Sequence, residues 1–161
     1  TPVITVGRTV KEVLEARLVI NGGEAERRAA ELLGEGELPA DIARRYPREL
    51  SGGQQQRAAI ALALSCEPGL VLADEPTTAL DVITQAAILR LLEKLRRGKN
   101  LTILLVTHDL PMAASACSAL FVMQDARLID SGAPRDPIRA PKEDPPTPPT
   151  PATPSGPSTD R

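Results

Sequence analysis

Two short apolar runs, Leu70 to Ala73 and Leu101 to Val106, stand among longer segments in which apolar residues recur every three or four positions. Short runs bounded by turn residues predict buried strands, and the three-to-four spacing predicts amphipathic helices. Thr9-Val10-Lys11-Glu12 has the capping-box pattern. With Val10, Val13, Leu14, Ala16 and Leu18 it predicts a helix to about Leu18, stopped by Asn21-Gly22-Gly23. A second helix is expected over Glu24 to Leu33, with Ala25, Ala29, Leu32 and Leu33 as its stripe and Gly34 and Gly36 ending it. Ala40 to Tyr46 reads as a short third, closed by Pro47, and Gly52 to Leu64 as a fourth, stopped by Pro68-Gly69. Asp81 can cap a long helix from Val82 to Arg97, whose Ile83, Ala87, Ile88, Leu91, Leu92 and Leu95 form a core stripe and whose end carries Arg96-Arg97-Gly98. Pro111 to Cys117 predicts a short helix. Leu120 to Met123 and Arg127 to Ile129 predict a hairpin around Gln124-Asp125-Ala126. Apolar strands alternating with helices give an α/β class with a parallel sheet.

Composition changes this picture at one end. Residues 133–161 hold ten of the sixteen prolines and one large apolar residue, Ile138, so that tail is expected to stay disordered. The net charge of −2 offers no basic footprint for nucleic acid, and one Tyr and one Phe leave little to stack on bases. Cys66 and Cys117 lack metal-ligand spacing and read as buried thiols. No apolar run reaches the length a membrane-spanning helix requires.

Two stretches carry chemistry. In Leu50-Ser51-Gly52-Gly53-Gln54-Gln55-Gln56-Arg57, Ser51 is a favoured N-cap and Gly52-Gly53 leave the first helical N–H groups bare. Such a start is an anion site, because those groups lack intrahelical partners and the helix dipole adds partial positive charge. In Leu70-Val71-Leu72-Ala73-Asp74-Glu75-Pro76 a strand delivers two adjacent carboxylates at its C-terminal end. One could take Mg²⁺ and the other a water, the metal offsetting their repulsion. Together the stretches point to nucleotide hydrolysis.

Leu50 to Arg57 resembles the signature motif of ATP-binding-cassette (ABC) ATPases, and Leu70 to Glu75 their Walker B strand with its catalytic glutamate. Ala79-Leu80-Asp81 is similar to the D-loop, and Thr107-His108-Asp109 to the switch-histidine loop. The resemblance covers residues 3–132. The wording from Asp74 to Val82 is most similar to the peptide and nickel importer branch. It implies an α/β, P-loop-NTPase-like ABC ATPase fold, here incomplete. The expected parts are a helical subdomain over 1–58 ending in the signature, an ATPase-core half over 59–132, and the proline-rich tail over 133–161. No G-x-x-x-x-G-K-[ST] occurs in the chain, nor the family's glutamine loop, so the expectation is the second half of a cassette.

The resemblance assigns roles residue by residue. Asp74 would hold Mg²⁺, Glu75 would be the general base, and His108, the only histidine, would contact the γ-phosphate. Ser51, Gly52, Gly53 and Gln54 would cap ATP held by a second cassette, and Asp81 would signal across that dimer interface. The implied partners are a second ABC ATPase subunit and transmembrane permease subunits, on the cytoplasmic face of the membrane, with no nucleic acid. The helical subdomain is the expected docking face. Two alternatives stay open, a non-catalytic module that donates its signature to another subunit's ATP, and a soluble ABC protein. Without a phosphate loop the chain alone is expected not to turn over ATP. The sheet is expected to expose apolar edges around Val71 and Ile103. Peptide importers usually continue into a His-Pro-Tyr-Thr stretch, whereas here Asp136-Pro137-Ile138-Arg139 passes into the tail.

Overall fold

The computed structural model describes residues 4–134. Residues 135–161, and with them nearly all of the expected disordered tail, lie outside the described part. The described chain divides into two compact units, one ending at Ser118 and the other beginning at Ala119.

The first unit opens with helix α1 (Val6–Arg17), which buries Val6, Val10 and Leu14 along one stripe. It starts earlier than the Thr9 capping pattern suggests. Thr5 takes the N-cap place, and the Thr9 hydroxyl inside the helix donates to the Thr5 carbonyl at 3.1 Å. Asn21 does not stop this helix but starts the next. Its side-chain oxygen accepts from the Glu24 N–H at 2.9 Å and caps α2 (Gly22–Glu35), which buries Ala25, Ala29, Leu32 and Leu33. Gly34 stays helical, and the chain leaves through Gly36 and a left-handed Glu37 (φ 57°). The Glu37 carboxylate bridges Arg57 at 2.8 Å and Lys94 at 3.0 Å, which holds it below its ordinary range. The expected third helix is two 3₁₀ turns, Ala40–Arg44 and Pro47–Glu49. Pro47 opens the second, since a proline in the first helical turn sacrifices no needed N–H.

Helix α3 (Gly52–Ala63) runs into a 3₁₀ turn, Leu64–Cys66, and left-handed Glu67 ends it before Pro68 is reached. Strand β1 (Leu70–Asp74) follows. Helix α4 (Val82–Lys99) then crosses to strand β2 (Thr102–Val106), which pairs with β1 in parallel from Leu70 opposite Thr102 to Asp74 opposite Val106. Left-handed Asn100 caps the end of α4, and Gly98 remains inside it. Ile88, Leu91, Leu92 and Leu95 join the core of α1, α2 and α3 as the stripe predicts. Ile83 does not, because the first turn of α4 lies outside that core and leaves it 80% exposed. Helix α5 (Leu110–Ala116) closes the unit. Of the two thiols, Cys66 is exposed and Cys117 half-buried, so neither is the fully buried thiol expected.

Each strand of this two-stranded sheet keeps one unpaired edge among the described residues, as expected around Val71 and Ile103, and the sheet exposes an apolar face as well. Those two residues pack against the core, whereas Leu70, Leu72, Leu104 and Val106 turn the other way and stay 58%, 65%, 49% and 47% exposed. The cause is the period-two alternation of strand side chains, which divides even an apolar run between two faces.

The second unit is an antiparallel hairpin of β3 (Leu120–Gln124) and β4 (Arg127–Gly132), with a register shift at Val122/Met123. Asp125 and Ala126 both have positive φ, 49° and 59°, the two-residue turn whose twist matches a hairpin. No helix among the described residues is long and apolar enough to cross a membrane.

Two isoleucines of α4 test this packing. Ile88→Ala, at a position with no exposure, should cost about 2–5 kcal/mol. Ile83→Ala should stay within about 0.5 kcal/mol. Urea midpoints measure both, and equal losses would contradict the assigned helix face.

Candidate functional site

Parallel pairing sets the C-terminal ends of β1 and β2 side by side, and three of the candidate residues stand there. Asp74 is the last residue of β1 and is exposed, on the same sheet face as Leu72. Among the described residues its carboxylate makes no hydrogen bond. Glu75 extends the ladder by one bond, its N–H donating to the Val106 carbonyl at 2.9 Å, and then turns into the left-handed region (φ 45°). That turn separates the two carboxylates.

The Glu75 carboxylate is held from both sides. Its Oε1 accepts from the His108 backbone N–H at 3.1 Å and lies 2.6 Å from His108 Nδ1, while Oε2 accepts from the Thr78 hydroxyl at 2.9 Å. The bonds from His108 and then Thr78 keep Glu75 below the usual carboxylate range. The same bond to Glu75, followed by its charge, raises the imidazole of His108. His108 is 84% exposed, and with Nδ1 committed to Glu75 its open ring nitrogen is Nε2.

From Glu75 the chain turns tightly, with Thr78 N–H to the Glu75 carbonyl at 3.1 Å and Leu80 N–H to the Thr77 carbonyl at 3.2 Å. Ala79 is left-handed as well (φ 64°). Two non-glycine residues in that region within five positions mark a backbone held against its preference. Gln85 of α4 holds the turn from behind, its side-chain amide donating to the Thr77 carbonyl at 3.3 Å. Gln85 and Thr78 both support the turn, and neither stands out in the sequence. No spacing rule points to either, because both contacts depend on the fold of the turn.

The turn ends at Asp81, which N-caps α4 by accepting from the Ile83 and Thr84 N–H groups at 3.1 and 2.9 Å. Beside it lies the start of α3. Ser51 and Gln54 form a reciprocal capping box there, the Ser51 Oγ accepting from the Gln54 N–H at 3.3 Å and the Gln54 side chain from the Ser51 N–H at 3.0 Å. The first intrahelical bond is Gln55 N–H to the Ser51 carbonyl, so the Gly52 and Gly53 N–H groups keep the open positions of a helix start. Gln54 differs, since its N–H is already taken. The glycines also have a packing reason that the sequence reading missed. A Cβ on Gly53 would lie 2.6 Å from Thr84 Cγ2, and one on Gly52 would lie 3.1 Å from Leu80 Cδ2.

Two groups of candidates therefore form. Asp74, Glu75 and His108 gather at the strand ends, while Ser51, Gly52, Gly53, Gln54 and Asp81 gather at the starts of α3 and α4. The Glu75–Asp81 turn joins them. No cluster of three or more metal-ligating side chains occurs among the described residues. The exposed Asp74 carboxylate, which makes no hydrogen bond among the described residues, has the hard oxygen chemistry that suits one ligand position on Mg²⁺.

The chain is similar to known proteins in sequence and in fold. The profile of the ABC transporter family matches residues 4–78. A probable D,D-dipeptide transport ATP-binding protein of Escherichia coli (strain K12) is 41% identical over 143 residues, covering 88% of this chain and 44% of the relative. A putative peptide import ATP-binding protein of Brucella melitensis is 42% identical over 134 residues, covering 81% and 40%. The chain therefore spans less than half the length of these curated relatives. Among solved structures, a dimeric ATP-binding cassette in a post-hydrolysis state bound to ADP and Pi superposes with a TM-score of 0.72 at 37% identity, over 84% of this chain and 59% of that one. A Clostridium perfringens protein that is part of the ABC transporter complex cbiONQ gives 0.74 at 29% identity, over 81% and 51%.

The pairing of Glu75 with His108 has a pH signature. A raised histidine contributes its interaction fully below its ordinary value of 6.5 and loses it as pH rises through the raised value. With one histidine in the chain, its NMR titration is unambiguous. The midpoint should lie above 6.5 and fall back toward it in Glu75→Gln. A wild-type midpoint at or below 6.5 would mean the pair does not form in solution.

Proposed function

Because this chain belongs to the ABC transporter family of ATP-binding cassettes, we propose that it serves as the signature-bearing and water-activating part of an importer ATPase subunit of the peptide type. The observation that carries this reading is the placement of Asp74, Glu75 and His108 together at the ends of paired parallel strands, where ligands of α/β sheets bind.

Each group then has a task. Asp74 offers an uncommitted carboxylate to Mg²⁺, which when bound neutralises phosphate charge. Glu75 stays ionised at neutral pH and can accept a proton from an attacking water once Thr78 or His108 yields one of its oxygens. His108, its Nδ1–H anchored to Glu75, presents Nε2–H as a donor to a phosphate oxygen when the ring is doubly protonated, the form that the Glu75 contact favours. The Gly52 and Gly53 N–H groups face a phosphate on a second cassette, with Ser51 and Gln54 fixing the helix start that presents them. Asp81 lies at the interface with that cassette. Residues 1–58 form the surface that meets the permease subunits, residues 59–132 carry the hydrolytic half, and the site works at the cytoplasmic face of the membrane.

A second reading takes these 161 residues by themselves, among which no G-x-x-x-x-G-K-[ST] occurs. With no amides and lysine to cradle β- and γ-phosphates, the chain would complete another subunit's ATP site without holding nucleotide itself.

Calorimetry separates the possibilities. MgATP titrated into this chain alone should give no binding heat. With a hydrolysis-blocked peptide-importer cassette that has its own phosphate loop, MgATP should drive a mixed dimer that Ser51→Arg prevents. Tight binding by the chain alone would overturn the division of labour, and failure to dimerise would overturn signature donation. Where a phosphate-loop-bearing first half of a cassette completes this chain's own site and restores turnover, a drop of about 10²–10⁴-fold in Glu75→Gln with nucleotide retained supports catalysis at Glu75. Unchanged turnover leaves only the second reading.

A further inference from the structure

Thr84, in the first turn of α4, meets both Asp81 and the start of α3, and its two branches do different things. Its Oγ1 donates to Asp81 Oδ2 at 2.6 Å, adding a third bond to the two backbone N–H groups already on that carboxylate. Its Cγ2 occupies the space a Cβ on Gly53 would need. Leu80, the residue before Asp81, fills the corresponding space at Gly52. The first two residues of α3 thus pack against the side chains at 80 and 84, and Asp81, next to the first of these, is bonded to the second.

We propose that Thr84 is a positioning residue that locks the Asp81 loop to the start of α3, so that a displacement of one is passed directly to the other. Packed groups at such separations cannot slide independently, because a gap or overlap of a few tenths of an ångström is already felt. The proposal rests on the reading above for its functional weight, since that reading sets Gly52 and Gly53 against a phosphate and Asp81 against the second cassette. Loss or arrival of a contact at Asp81 would then shift the two phosphate-facing N–H groups through a single side chain.

The test needs no nucleotide, so it can fail without touching the hydrolytic reading. In the full isotopically labelled chain, pH is lowered while the Asp81 side-chain carboxyl carbon and the Gly52 and Gly53 amides are followed by NMR. Asp81 should titrate below its ordinary value, with the Thr84 hydroxyl as the leading cause. Following each carboxyl by its own resonance separates Asp81 from Glu75, the acid at the other end of the turn. In the wild type both glycine amides should shift with the Asp81 midpoint. Thr84→Val keeps the branched shape and removes the hydroxyl, so the Asp81 midpoint should rise and the shared midpoint should vanish. Thr84→Ser keeps the hydroxyl and removes the methyl, so Asp81 should titrate as in the wild type while the glycine amides no longer follow. Glycine amides that ignore Asp81 in the wild type would overturn the coupling without any variant. Amides that still follow it in both variants would show that Thr84 does not carry it.

Discussion

The parallel pairing that sets Asp74 opposite Val106 is the constraint on which the rest of the site depends. It brings the residues just past both strand ends to one level, so that Glu75 can bond the Val106 carbonyl through its backbone and His108 through its side chain. A slip of one residue in β1 would send Asp74 to the opposite sheet face, and a slip in either strand would carry Glu75 away from His108. The core stripe of α4 enforces the register, because Ile88, Leu91, Leu92 and Leu95 must meet α1 to α3 while the helix spans the distance from β1 to β2.

Much of this was legible in the residues. Apolar runs ending in acids located the strand ends, the Asp81 cap located α4, and turn residues located the hairpin. The helix starts were harder, since Thr9 and Asn21 can each be read in two ways; α1 starts early enough to bury Val6, and the bond from the Glu24 N–H makes Asn21 a cap. The glycines of α3 were read as leaving N–H groups bare, yet their absent Cβ atoms make room for Leu80 and Thr84. That is invisible in one dimension, because the fold and not the sequence brings residue 53 to residue 84. Thr84 itself left a trace, standing three residues after an acidic cap where a hydroxyl can return to it.

The strand pair has a core-facing side and an apolar side left open. Asp74 lies on the open side, so the residue assigned to Mg²⁺ stands beside exposed Leu72 and Val106 rather than in a polar cleft. Any surface that covers those apolar groups would also draw water away from the Asp74 carboxylate and strengthen its attraction for a cation.

Among the described residues, seven non-glycine positions are left-handed and no glycine is. Six of the seven, from Glu37 to Ala126, are exposed, and Glu75 is half-buried. Judged by exposure, such positions would accept nearly any residue in the course of divergence. Backbone handedness imposes a different filter. Valine, isoleucine and threonine are disfavoured there although little packs against them, while Gly, Asn and Asp pass freely. The pattern of permitted replacements along this chain should therefore follow the sign of φ at these turns as closely as it follows the core.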